Sequence, residues 1–448
     1  TLALLTFAAK VIPADFYTSF SLKRVDYIEP LALKPAQKVR KHQHHKAPQH
    51  ASALQDSATT RGKDSTQPAI EYDFTTIEDY SEKGKQSQLL FQALHNAKSN
   101  NCRIAFYGDS FIEGDIMTMN LRDSLQKYFG GRGVGYLPVS SEVSMFRKSL
   151  PSESQEWDVY SIAKQSKKEA LGIAGVTYVP HDGAMLKLLP PRALGNIRLF
   201  YRNLGHDVLV RTTINKKHRD IDTLKPSELL AVQPLIEGKD TIKQYQLKIE
   251  GGEGIKVYGI SLEGGKGVYL DNFSIRGNSG LGLNEISDQQ YRDFQQLMQY
   301  KLIVLQFGIN VSNAEIKDYT FYEKGMVKLV KRLKALFPET SILLLSISDR
   351  SYKEDGAYVT MPSIPLLVAS QRSIAEQSGI LFWDMYSAMG GENSMVTWVD
   401  EKKANKDYTH LTFTGGRQIA GALFKAIMHE YKMHYKNKND EKLTLATH

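Results

Sequence analysis

A serine hydroxyl is a weak nucleophile until a base takes its proton, and the usual base is a histidine held in one tautomer by an acceptor. Ser110, closing Gly108-Asp-Ser110, and the pair Asp407 and His410 in Asp407-Tyr-Thr-His410, near the other end of the chain, supply those three parts. The chemistry they point to is acyl transfer. That reaction also needs donors aimed at the developing oxyanion, typically a turn backbone N–H and a side-chain amide. Gly277 in Arg276-Gly-Asn-Ser-Gly280 and Asn310 in Gly308-Ile-Asn310 are the two candidates. Asp109 reads as a residue that shapes its turn by accepting backbone N–H bonds, rather than as a second catalytic carboxylate.

Each short motif is unspecific alone and gains meaning from its surroundings. Cys102-Arg-Ile-Ala-Phe-Tyr107 is an apolar run, predicted to be a buried strand emptying into the Ser110 turn. A helical pattern follows from Asp115 to Phe129 and stops at Gly130-Gly131. Ser110 is thus expected just past the C-terminal end of a strand, where α/β folds carry their sites. Gly277 follows the strand-like run Val268–Ile275, and Asn310 follows Leu302–Phe307. Asp407 and His410 lie in a polar loop ahead of a helix, which Thr412 or Thr414 is placed to cap. A further buried parallel strand is expected at Ser341–Ile347, with helices at Tyr322–Leu336, Pro365–Gln377 and Gly415–Tyr431. Between about 140 and 268 the rhythm changes to short alternating runs, as in Val208–Thr213 and Tyr245–Ile249, predicting an antiparallel β-sandwich of jelly-roll type. The whole reads as an α/β domain interrupted by an all-β insertion.

With Ser110, Gly277, Asn310 and His410 in this order, the sequence resembles the SGNH (GDSL-like) hydrolase family. The resemblance covers about residues 100–140 and 268–425. It implies a three-layer α/β/α, flavodoxin-like fold, catalysis by Ser110, Asp407 and His410, and an oxyanion hole of Ser110, Gly277 and Asn310. The chain departs from the family pattern at Val311, where Asp or Glu usually follows the Asn. Gly108–Asp115 and Leu121–Tyr136, followed by a β-rich insertion, look most like bacterial peptidoglycan O-acetylesterases, which carry an inserted carbohydrate-binding-module-like domain. The expected divisions are 1–70 as a targeting or anchor remnant and basic linker, 71–139 and 269–435 as the two parts of the hydrolase domain, 140–268 as the insertion, and 436–448 as a tail.

Composition narrows the alternatives. The formal charge of the 448-residue chain is +8, but residues 1–70 hold 10 Lys and Arg against 5 Asp and Glu. What remains is ordinary for an enzyme, and no nucleic-acid module is recognisable. Thr1–Ala9 reads as the end of an export signal or membrane anchor. His42, His44, His45 and His50 sit in a polar tether and are read as part of it rather than as a metal site. Cys102 is the sole cysteine, which excludes an intrachain disulfide and reads as a buried small hydrophobe. Trp383, Trp398, Tyr386 and Tyr408 read as packing aromatics, with Tyr408 the best placed for stacking on a sugar. The expectation is an extracytoplasmic serine esterase that removes O-acetyl groups from an acetylated polysaccharide, peptidoglycan first, with no metal or organic cofactor. Two alternatives stay open: an O-acetyltransferase of cell-wall or capsular polysaccharide, and a non-catalytic glycan-binding surface protein. The oligomeric state is left open too.

Overall fold

The computed structural model describes residues 76–446, apart from 142–143, 165–169, 191–195 and 238–241. The N-terminal targeting segment, the basic linker and the His42, His44, His45 and His50 cluster lie outside the described residues. Everything below concerns the compact unit that begins at Ile70.

Six strands make the first sheet, all but the edge strand β1 being buried apolar runs: β1 (Ile77–Asp79), β2 (Cys102–Gly108), β3 (Val268–Ser274), β4 (Tyr300–Gln306), β5 (Ser341–Leu345) and β6 (Leu381–Trp383). The spatial order is β1-β6-β5-β4-β2-β3, parallel throughout except for the antiparallel edge strand β1. All seven residues of β2 are buried. The chain passes from β2 to β3 on one side and then crosses to β4 on the other. The topological switch point, the usual crevice of an open parallel sheet, therefore lies between β2 and β4.

The six longest helices among the described residues accompany the sheet: α1 (Lys85–His95), α2 (Thr118–Phe129), α3 (Asp288–Met298), α4 (Thr320–Leu336), α5 (Ser363–Ser378) and α6 (Phe413–Ala446). α6 packs on α1 and α2, while α4 packs on α3 and α5. Local chemistry sets their ends. Ser287 caps α3 by accepting from Gln290 N, Pro338 follows the end of α4, and Gly379 takes the left-handed conformation past α5. α6 runs on through the Lys436–Lys442 stretch expected to be a tail. No glycine or proline after Gly421 interrupts it, and Lys, Glu and Ala sustain a helix well.

The second sheet is separate and antiparallel, with nine strands joined in one hydrogen-bonded network. It begins with Gly135–Leu137, ahead of residue 140, which pairs with Ile260–Leu262. Its longest strand, Val176–Leu188, changes partners along its length. Tyr178 pairs with Val257, whereas Met185–Leu188 pair with Tyr245–Lys248. Gly183, at φ +82°, lies between those two regions, where a bend lets the strand serve both. Leu186, Leu199, Val210, Leu247 and Val257 belong to a hydrophobic cluster of this sheet's own. Tyr136, Phe200 and Tyr258 turn the other way and join the core of the parallel sheet. There the rings of Phe200 and Tyr258 each lie 5.9 Å from that of Phe294, and Tyr136 lies 5.4 Å from Phe273.

Candidate active site

Register places the ends of β2, β3 and β4 side by side. Gly108 is level with Ser274 on β3 and with Gln306 on β4. Ser110, Gly277 and Asn310 each lie a short step beyond that line, at the switch point. Three hydrogen bonds tie the three exits together. Ile275 N donates to Gly108 O (3.0 Å), and Asn310 Nδ2 donates both to Asp109 Oδ2 (3.1 Å) and to Asn278 O (3.0 Å). Gly277 has φ +79°, a left-handed value that any L side chain would strain to adopt.

Asp407 and His410 arrive from the far end of the chain on a loop that is itself closed. Ala404 and Leu411 form an antiparallel bridge, Asn405 N donates to His410 O (2.8 Å), and Thr412 N donates to Lys403 O (2.9 Å). Thr412 is the residue that caps α6, its Oγ1 accepting from Gly415 N (3.4 Å). The start of α6 presses on the nucleophile loop. A Cβ at Gly416 would stand 2.2 Å from Ile116 O, so only glycine permits this approach. It brings His410 Nε2 to 2.9 Å from Ser110 Oγ.

On its other side His410 Nδ1 meets Asp407 Oδ2 at 2.7 Å. Asp407 Oδ1 accepts from the backbone N–H of Thr409 and of His410, each at 3.0 Å. Partial burial works against the Asp407 carboxylate. The His410 side chain and these N–H bonds outweigh burial and hold its pKa at about 2. An ionised carboxylate only accepts, so Nδ1 carries the imidazole proton and Nε2 turns a lone pair to the Ser110 hydroxyl. The arrangement can deprotonate Ser110 and store the proton on a charge-stabilised ring.

Asp109 is fully buried. Its Oδ1 accepts from Phe111 N (2.9 Å), the turn-shaping bond expected from the sequence. Burial pushes its pKa up to about 6 against the hydrogen bonds from Phe111 and Asn310 and the charge of His410.

Sequence reasoning missed four groups around the site. Arg276 pairs with Glu113 across the cleft mouth. Buried Asp115 receives two guanidinium groups, Arg122 (2.8 and 3.1 Å) and Arg147 (3.1 and 3.3 Å), and also bonds Ser149, Thr118 and Asn272. Arg350 donates to Ile309 O (3.0 Å) and Ser312 Oγ (2.8 Å), holding the loop that carries Asn310 and Val311. Lys148 stands 4.0 Å above the Phe413 ring. None has a motif signature; at most, a lone charge in an apolar stretch hints that it is paired when folded.

The cleft around Ser110 and His410 encloses about 320 Å³ and is lined also by Glu113, Ile116, Arg276, Asn405 and Phe413. A larger one of about 400 Å³ adjoins it, sharing Glu113, Gly114 and Arg276, and is lined also by Val159, Val176 and Tyr178 of the antiparallel sheet. Trp383 and Trp398 are buried packing residues, and Tyr386 packs against the core. Tyr408 stacks on the exposed Tyr358, with ring centroids 3.6 Å apart. The Cys102 thiol is buried, and that burial raises its pKa to about 12, leaving it inert. Among the described residues no group of three or more His, Cys, Asp or Glu could hold a metal ion, and no helix is long and apolar enough to cross a membrane.

No family model and no curated protein matches the sequence. Among solved structures, "Peptidoglycan O-acetylesterase in action, 5 min" aligns with a TM-score of 0.66 at 19% identity, covering 80% of this chain and 99% of that one. A family two carbohydrate esterase from Cellvibrio japonicus reaches only 0.27 at 10% identity, covering 63% and 98%. The acetyl xylan esterase AlAXEase reaches 0.28 at 18% identity, covering 36% and 81%. The chain is a mixed α/β protein with a parallel-containing sheet and a separate antiparallel sheet. It shares its fold with the first of these esterases, and at 19% identity the likeness extends to fold alone.

Proposed function

We propose that this protein is a serine esterase of SGNH type that removes O-acetyl groups from a glycan, peptidoglycan first. One observation carries the reading: the unbroken line from Ser110 Oγ to His410 Nε2 (2.9 Å) and from His410 Nδ1 to Asp407 Oδ2 (2.7 Å). The fold shared with a peptidoglycan O-acetylesterase supports the choice of substrate. In this reading residues 71–139 and 269–435 form a three-layer α/β/α hydrolase domain, and 140–268 a jelly-roll-like insertion that walls the cleft. The substrate lies outside the cytoplasm, and so does the enzyme.

His410 takes the Ser110 proton as Oγ attacks the acetyl carbonyl, and the charge on the ring is balanced by Asp407. The tetrahedral oxyanion is held by the N–H groups of Ser110 and Gly277 and by Asn310, which turns one of its amide hydrogens from its ground-state partners to the stronger acceptor. His410 then protonates the departing sugar oxygen. Water, deprotonated by the same ring, attacks the acetyl-enzyme and releases acetate. The test is acetate release from O-acetylated peptidoglycan and from acetylated xylan, alongside p-nitrophenyl acetate turnover. Wild type is expected to favour peptidoglycan and Ser110→Ala to be silent. Equal turnover by the two proteins would remove the catalytic assignment, and net acetylation of a sugar acceptor exceeding donor hydrolysis would make the protein a transferase.

A further inference from the structure

Between Asp407 and His410 lies a residue whose backbone both depend on. Tyr408 has φ +54°, in the left-handed region, which a bulky L side chain occupies only where its surroundings impose it. A return of Tyr408 to negative φ would swing the Asp407 carboxylate away from the Thr409 and His410 N–H groups and from the ring it orients. Two of the contacts on Tyr408 come from one short hairpin. Its strands, Ser351–Glu354 and Ala357–Thr360, pair antiparallel across Asp355-Gly356. Both turn residues have positive φ, +46° and +89°, the tight two-residue turn that Asp-Gly favours. Ser351 N donates to Tyr408 O (3.1 Å). Tyr358 lays its ring flat on that of Tyr408, with centroids 3.6 Å apart and planes 9° from parallel. The ring that the sequence placed best for stacking on a sugar thus has one face taken by a neighbour.

A two-stranded hairpin is marginal by itself, so its grip depends on how its base is held. Thr360 Oγ1 donates to Asp349 Oδ1 (2.8 Å), and the fully buried Asp349 also accepts from Met395 N (2.8 Å). Thr360 N donates to Asn393 Oδ1 (3.0 Å), just ahead of the helix Ser394–Asp400. Arg350, whose O accepts from Met361 N (2.8 Å), reaches from the foot of the hairpin to Ile309 O and Ser312 Oγ. One short segment therefore touches both the loop carrying Asn310 and the loop carrying Asp407 and His410. The charge of Asp407 is felt at Arg350, where it opposes the lowering of the guanidinium pKa by burial.

We infer that this hairpin is a brace for the catalytic loop, with Tyr358 as a positioning residue that acts through Tyr408 on the Asp407–His410 pair, an inference that rests on the esterase reading and deepens it. Tyr358 works at one remove from the reacting atoms. Its ring keeps Tyr408 in the conformation that aims the carboxylate at Nδ1 and thereby Nε2 at Ser110 Oγ, where a displacement on the order of 1 Å costs about 100-fold in rate.

Tyr358 is 40% exposed, so its truncation spares the core. With p-nitrophenyl acetate, Tyr358→Ala is expected to lower kcat by about 10- to 100-fold while KM stays within about twofold of wild type, and Tyr358→Phe, which keeps the stacked ring, to restore it. In an Asp407→Asn background the Tyr358→Ala loss should vanish, because the path it acts through is already broken. NMR of the His410 ring nitrogens reads the same coupling without turnover: the neutral ring should be the Nδ1–H tautomer in wild type and Tyr358→Phe, and a mixture of tautomers in Tyr358→Ala. An unchanged kcat or an unchanged tautomer in Tyr358→Ala, a loss that Tyr358→Phe retains, or a full loss persisting beside Asp407→Asn would each overturn the inference. Equal turnover by wild type and Ser110→Ala would instead remove the esterase reading, and the tautomer measurement would then decide on the brace by itself.

Discussion

At the scale of single residues the proposed mechanism divides the site into groups that would react and groups that hold. Ser110→Ala is expected to lower kcat by about 10⁴-fold or more, and Asp407→Asn by roughly 10³- to 10⁴-fold, because each breaks the proton path. Asn310→Ala should cost about 10²- to 10³-fold in kcat with KM little changed, since the oxyanion exists only beyond the ground state. Steady-state kinetics on one soluble acetyl ester would read all three. Asp109 makes a different prediction. Its folded pKa, raised to about 6 by burial, means that the native state binds the proton more tightly than the unfolded chain does. Its contribution to stability therefore declines as pH rises from about 4 to 6, by on the order of 3 kcal/mol. Urea denaturation of wild type and Asp109→Asn at pH 4 and pH 7 checks the sign: the variant should lose part of that slope, and parallel curves would contradict it. Asp407 acts the other way. Its support is full above about pH 4 and is lost as pH falls through about 2. The residues proposed to react were legible as candidates because each belongs to a short pattern beside a recognisable strand or loop. Arg147, Arg276 and Arg350 were not, because nothing local marks which distant acceptor a lone guanidinium will find.

At the scale of elements, long apolar segments declared themselves. The expected strands at Cys102–Tyr107, Leu302–Phe307 and Ser341–Ile347 correspond to β2, β4 and β5 within a residue or two. β1 and β6 went unread, because three residues carry no periodicity. α3 was overlooked as well, although Ser287 ahead of an amphipathic run is a usable start signal. In the antiparallel sheet, Val176–Leu188 was missed because Pro180 and Gly183 look like a turn, whereas they sit inside one strand that serves two sets of neighbours. The nucleophile loop is held against α2 and β3 by Asp115, which bonds Arg122, Thr118 and Asn272. Asp115→Ala leaves two buried guanidinium groups without their carboxylate. We expect it to destabilise the protein by about 3–5 kcal/mol, a loss that chemical denaturation would register as a lower midpoint.

At the scale of the whole molecule the two sheets share more than a covalent connection. The chain leaves the parallel sheet near Gly130 and returns at Val268, whose N–H donates to Gly130 O (2.9 Å), so the antiparallel sheet enters and exits at one place. That geometry invites excision, but Phe200 and Tyr258 cover Phe294. A chain with Gly133 joined to Val268 through a short loop is therefore expected to be insoluble or to melt well below the parent. An excised protein melting alongside the parent would show that the rings add little. The alternation of residues revealed that a second sheet existed. How its aromatics split between two cores depends on contacts that pair positions far apart in the chain, and these leave no trace in any window.

Ser110 and His410 meet across 300 residues of chain. A ribosome that has finished β2 has made a serine with no partner. The site comes into being only after the last helix has been synthesised far enough to dock on α2. A fluorogenic ester reacting at Ser110 would therefore serve as a clock for the final step of assembly, silent for every truncated or half-docked chain.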